Sequence, residues 1–510
     1  MYNDKIAVLN IPQLYLLKEE CLMITKKIIA FTAAASIAAA LFSGCKSESK
    51  PAYGLDPNNP ATITIWHYYN GVQQENFDHL IVEFNETVGH EQGIIVEARS
   101  KGTIDDLAGS VISSLKEEVG AETAPDMFAA YAETAYTADR LGKVVDLSKY
   151  FTETELDEYV SGYLDEGNLD DENGLKIFPI AKSTEVMMIN STDWQTFADA
   201  EGVSADDLST WEGLAQIAEK YYEYTDALTP DVPNDGKAFF GRDSVANYMI
   251  VGAKQLGLEY FSVEDGSYTL NENKDVLKRL WENYYVPYVK GYYFSQSRFR
   301  SDDAKIGAII AMVCSTTGAA YFPNSVTLND EFSYPIGRLV MTVPNFEGTD
   351  PYAVQQGAGM VVVKSDEKTE YACSVFLKWF TEKDRNIGFS ANSGYLPVKK
   401  AANDFSAISE SYKAGGGDED DPMLDSMRLA VDEINSYQLY AAKPFEKSAE
   451  TRDFLGGYIQ DTAQAAHNEA ADRIAGGEDR ETVLADYTSD AAFESWYSDF
   501  ISGLKAAAGI

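Results

Sequence analysis

The chain holds few residues suited to covalent or metal chemistry, and their spacing speaks against both. Its histidines, His67, His79, His90 and His467, are scattered, and its cysteines, Cys21, Cys45, Cys314 and Cys373, contain no C-x-x-C pair, so no Cys/His zinc site is expected. None of G-x-S-x-G, H-E-x-x-H, a P-loop or G-x-G-x-x-G occurs, which removes the commonest hydrolase, metalloprotease and nucleotide motifs. DGSYTLNENKD and GGGDEDDP carry oxygen ligands but miss the EF-hand spacing. Neither a metal nor a cofactor is expected. The sequence concentrates recognition chemistry instead. Trp66-His67-Tyr68-Tyr69 sets four rings in a row, and Ser315-Thr316-Thr317-Gly318 sets three hydroxyls beside a glycine. Rings stack on flat apolar faces, and hydroxyls donate and accept hydrogen bonds. The second run serves equally as an N-cap for the helix after it. Tyr131, Asp243 and Asn247 are further polar candidates, with surface or core positions as their plain alternative.

These residues need elements to position them. ATITIWHYY alternates Ile63 and Ile65 with threonines and reads as a strand ending at the ring cluster. Phe77, Leu80, Ile81 and Phe84 then fall on one helical face, and GIIVEA returns to a strand. Strand, helix, strand in that order implies a parallel sheet with a right-handed crossover. IDDLAGSVISSLKEEV, DMFAAY and ETAYTADRLG continue as helix, strand, helix, after which the chain to about Pro179 reads as acidic and helical. KIFPIAKSTEVMMIN is extended, the middle third is helix-rich, and IGAIIAMV suits strand or helix. GAGMVVVKS is a strand leading into the amphipathic helix YACSVFLKWFTEKDRNIGFSAN, and the last hundred residues are mainly helical.

At 510 residues, with a 45% hydrophobic fraction and many rings, the chain suits two or three folded domains. Its net charge of −40 leaves little means of neutralising phosphates, so nucleic acid is a poor partner. From Met23 the sequence reads MITKKIIAFTAAASIAAALFSGC: lysines, an apolar run, then small residues. That is the layout of a secretory signal, and the run is shorter than the ~20 residues of a spanning helix. Residues 1–22 do not fit such a signal, so Met23 is the expected true start. Leu41-Phe42-Ser43-Gly44-Cys45 resembles a bacterial lipobox, which implies cleavage before Cys45 and lipid on its sulfur. Residues 1–44 are then a signal peptide and 45–60, rich in Ser, Pro, Asn and Lys, a flexible tether. Cys314 and Cys373 are expected as two buried free thiols in preference to a disulfide.

Four segments, TITIWHYYNG, FPIAKSTEVMMIN, AMVCSTTGAAYF and GAGMVVVKS…FLKWFTEKDRNIGFSANSGYLPV, resemble the extracellular solute-binding proteins of bacterial ABC importers, of the sugar and glycerol-3-phosphate type. The resemblance implies an α/β, periplasmic-binding-protein-like fold of two discontinuous lobes joined by a hinge, with ligand in the cleft between them. It places one lobe at 61–181 and 345–394 and the other at 182–344 and 395–510, with crossings near Pro179, Pro344 and Pro397. It also implies that Ser183, Thr184 and Glu185 reach ligand, with hinge support or helix capping as the alternative role, and that Gly357 and Tyr395 touch it. Trp66, His67, Tyr131, Asp243, Asn247, Ser315 and Thr316 complete the expected ligand set.

The function implied is capture of a carbohydrate, neutral by preference, and its delivery to an ABC permease by a lipid-anchored monomer outside the cytoplasmic membrane. No catalysis is expected. A glycerol-phosphate ligand would need an arginine, and Arg452 lies in the corresponding late region. A lipid-anchored glycoside hydrolase, needing two carboxylates across a sugar ring, is the more distant alternative.

Overall fold

A computed structural model describes residues 52–169, 174–264 and 266–510; the signal, Cys21 and Cys45 lie outside them. The strand Ala61–His67 pairs in parallel with Ile94–Ser100 on one side and with Met127–Ala130 on the other. The strand Gly359–Val362 closes this first sheet against Met127–Ala130, running antiparallel. The parallel sheet expected from the leading elements is thus correct for three strands, and the fourth reverses because the chain re-enters the sheet from the opposite side. The helix Gly71–Phe84 buries Phe77, Ile81 and Phe84 on the sheet. A capping box between Thr103 and Asp106 starts the helix Ile104–Leu115. The region before Pro179, expected as helix, contains only short pieces, Leu147–Tyr150, Glu153–Leu156 and Ser161–Asp165. There Phe151, Tyr159, Tyr163 and Phe178 are buried in the first core, which rewards ring packing over helical continuity.

A second sheet contains Arg338–Met341, Glu185–Asn190, Ala311–Ser315 and Phe240–Arg242 in that order. Within it only Phe240–Arg242 and Ala311–Ser315 run parallel. The ambiguous IGAIIAMV therefore contributes a strand. Glu185–Asn190 is buried on both faces, with Met187 and Ile189 in one apolar cluster and Val186 and Met188 in another. This second body is helix-rich, with the helices Trp211–Ala227, Lys274–Val289, Ser448–Ala475 and Asp490–Ala508 contributing to its larger cluster.

The chain passes between the sheets more than once. Lys182 and Ser183 lead out of the first sheet, and each bridges another segment, Lys182 to Leu396 and Ser183 to Gln356. The return path includes Tyr352–Val354, which pairs in parallel with Gln438–Tyr440 as a two-stranded ribbon. Cys314 and Cys373 are free and buried. Among the described residues no helix is long and apolar enough to cross a membrane.

Candidate functional site

A cavity of about 590 Å³ lies between the two bodies, a size suited to a small organic ligand. Ile104, Tyr131 and Glu133 form its wall on the first body; Tyr260 and Arg452 belong to the wall on the second; Gln355 and Gln356, just past the ribbon, line it from the crossing. Three polar atoms of lining residues, Tyr260 Oη, Gln355 Oε1 and Gln356 Oε1, are buried away from the cavity and have no hydrogen-bond partner among the described residues. Such atoms cost free energy unless something donates to them. Tyr131, 37% exposed, supplies a ring with a hydroxyl. Its neighbours Tyr68 and Tyr395 lie behind it, their hydroxyls 3.1 Å apart, and the Tyr395 ring stacks on Phe389.

Below the cavity runs a chain of charged and amide groups. Arg452 Nη2 donates to Asn247 Oδ1 (2.6 Å), Asn247 Nδ2 to Glu185 Oε1 (2.9 Å), and Arg242 Nη2 to Glu185 Oε2 (2.7 Å). Trp211 and Tyr248 flank the Arg242 guanidinium at 5.5 and 5.8 Å. Among the described residues no carboxylate lies within ion-pair distance of Arg452. Lys182 is sealed at the crossing, paired with Glu166 and donating from Nζ to the Gly357 carbonyl at 2.9 Å.

The expected ligand residues divide into three groups. Tyr131 lines the cavity, and Asn247 and Glu185 stand one layer behind it, holding Arg452. Ser183, Thr184, Gly357 and Tyr395 belong to the crossing or its edge: Ser183 exchanges both backbone bonds with Gln356, and the Thr184 carbonyl accepts from Thr316 N–H. Trp66 and His67 sit elsewhere. Trp66 is 3% exposed under the Lys101 ammonium, 3.8 Å from the ring centroid. His67 is fully buried against Tyr69 and Phe77, and burial pushes its pKa down to about 4, so the ring is neutral. Asp243 accepts from Arg300 N–H at 2.9 Å, and burial raises its pKa. Ser315 caps the next turn through Gly318 N–H, whereas Thr316 Oγ1 donates to the Gly394 carbonyl and ties this strand end to a distant segment.

Gln355, Gln356 and Tyr260 were not singled out by pattern. The one local signal was the pair of amides immediately before Gly357. That glycine has φ +89°, and a Cβ placed on it would lie 2.8 Å from the Ala181 carbonyl oxygen. Gly357→Ala is therefore expected to cost about 1–3 kcal/mol, seen as a lower urea midpoint at unchanged m; an unchanged midpoint would show that the crossing has slack.

Residues 79–416 match the family described as bacterial extracellular solute-binding protein. The chain belongs to that family. No protein of curated function matches it. Among solved structures, this solute-binding protein is similar to the cyclic alpha-maltosyl-1,6-maltose binding protein of Arthrobacter globiformis, at 17% identity and TM-score 0.59, covering 86% of this chain and 100% of that one. It is similar also to UgpB of Mycobacterium tuberculosis, solved with glycerophosphocholine, at 17% identity and TM-score 0.60 over 88% and 99% of the two chains. A third is Lmo0181 of Listeria monocytogenes, solved with cycloalternan, at 15% identity and TM-score 0.59 over 89% and 100%. At such identities the likeness establishes the fold, which is periplasmic-binding-protein-like. The family places the solute-binding protein outside the cytoplasm.

Proposed function

We propose that this solute-binding protein captures a carbohydrate in the cavity between its bodies and delivers it to an ABC permease, without catalysis. The observation that carries the reading is the cavity lining: the Gln355 and Gln356 side chains, with amide groups, and the Tyr131 ring share it. A sugar offers hydroxyls for the first and a C–H face for the second. The bodies then act as lobes, 61–181 with 345–394 and 182–344 with 395–510, which close around ligand because it touches both. Lipid on Cys45 holds the monomer at the membrane's outer face, and the tether is shorter than the expected 45–60, because Leu55 is already buried in the first core.

A glycerophosphodiester is the second reading, favoured by Arg452, whose guanidinium lines the cavity without a carboxylate in ion-pair range among the described residues. A thermal-shift panel of mono- and oligosaccharides, glycerol phosphates and glycerophosphodiesters separates the two. A ligand at a hundred times its Kd should stabilise by about 2.7 kcal/mol. The expected result is a shift with a sugar, no released product, and its loss in Tyr131→Ala. A shift with phosphate esters alone transfers the site to the second reading; turnover, or silence across the panel, overturns both.

A further inference from the structure

A second, small space shares Val354 with the ligand cavity and is lined by two carboxylates and one committed cation. Glu185 is satisfied by Arg242 and Asn247, whereas Glu433, 3% exposed on the helix Pro422–Ser436, has Oε2 without a partner among the described residues. A space of about 30 Å³ is lined by both acids, room for about one water molecule. Every element packed around it contributes a group: Glu185 from Glu185–Asn190, Arg242 from Phe240–Arg242, Asn247 and Tyr248 from Val245–Gln255, Tyr352 from the ribbon and Tyr437 beyond the helix end. Arg242 already donates to Glu185, and the next cation, Arg452, is held on Asn247. Two buried acids beside a single buried base cannot both ionise cheaply.

One wall of this space is the ribbon itself. Tyr352, Ala353 and Val354 close it, and they form the first strand of the crossing ribbon. The ribbon continues into Gln355, whose N–H donates to the Tyr440 carbonyl at 3.1 Å and whose Nε2 reaches the Gly162 carbonyl on the first body at 2.8 Å. Gln355 and Gln356 also line the ligand cavity, and each has a buried Oε1 without a partner among the described residues. Displacement of the ribbon would therefore open the space beside Glu433 and carry Gln355 and Gln356 with it.

We propose that displacement of the ribbon is proton-linked: with the ribbon in place the buried Glu433 carboxyl, beside the Arg242-paired Glu185, keeps its proton, and moving the ribbon admits water and releases that proton. Burial, and then the neighbouring Glu185, push the Glu433 carboxyl from 4.5 up to about 8. Between those values the acid is protonated while sealed and ionised when wet. Raising pH across this window favours the displaced ribbon, and the linkage is complete once pH passes the upper value. One proton released shifts the equilibrium by up to about tenfold per pH unit.

Amide hydrogen exchange on the ligand-free folded chain tests this from pH 5 to 8, after division by the intrinsic pH dependence of exchange. The Gln355 and Gln438 amides, which bond across the ribbon and its edge, should report an opening population rising up to about tenfold per pH unit. Amides of the buried strand Ala61–His67 should not follow them. Glu433→Gln, of the same shape without the charge, and Glu433→Met should both flatten the ribbon profile. A flat profile in the unsubstituted protein overturns the proposal without recourse to any variant, and so does an equal slope in Glu433→Gln. The test needs no ligand, so its failure leaves the carbohydrate reading standing.

Discussion

Glu185→Ala is expected to destabilise the protein by about 3–5 kcal/mol, because it leaves a buried arginine without its counter-charge. The Arg242 side chain is almost fully buried and its Nη2 bond to Glu185 is its only ion pair among the described residues. The same substitution strands the Asn247 amide, which donates to the other carboxylate oxygen. Urea unfolding measures the loss. A double variant, Glu185→Leu with Arg242→Met, should recover most of it, since a well-packed apolar pair of similar volume often equals a buried ion pair. A single-variant loss below about 1 kcal/mol would mean that water reaches Arg242 and that the pair behaves as a surface bridge. Stability alone does not exhaust the effect. With Glu185 gone, Asn247 no longer has a fixed orientation from which to hold Arg452.

Lys182→Ala should cost a similar amount, about 3–5 kcal/mol, by a different route. Lys182 is nearly inaccessible, its ammonium paired with Glu166 and bonded to the Gly357 carbonyl, while its backbone exchanges bonds with Leu396. Removing the ammonium leaves Glu166 facing the cavity unpaired and the Gly357 carbonyl without its donor. Glu166→Gln in the same background should restore part of the loss. Because the pair is buried, the effect should persist in high salt, which screens exposed charges far more than sealed ones. A loss that vanishes in 1 M salt would contradict the burial.

The order of elements could be read before the coordinates, since strand, helix, strand at 61–100 and the strand-to-helix passage at 357–393 have strong and different periodicities. The two free cysteines were legible from burial preference. The facing of Trp66 and His67 was not, and the reason is physical. Alternation reveals which side of a strand is wet only when one side is wet, and here Ile63, Ile65, Trp66 and His67 are all buried. The cavity wall escaped for another reason. Tyr260, Gln355 and Arg452 come from three distant segments and meet only through the crossings. The reversal of Gly359–Val362 belongs to the same class, because pairing direction depends on the path the chain takes back from the second sheet.

The sealed thiols have a practical meaning for watching this molecule work. Cys314 lies in the second body's core and Cys373 in the first's, each with a pKa pushed well above the usual thiol range by burial. Thiolates are the species that maleimides attack, so neither core cysteine competes for label in the folded state. Cysteines introduced in place of Glu133 and Asp453, both on the lining of the cavity, would accept a donor and an acceptor dye without competition from the two core thiols in a chain that also has Cys21 and Cys45 replaced. The separation of those dyes turns any relative movement of the two walls into a spectroscopic trace, one molecule at a time.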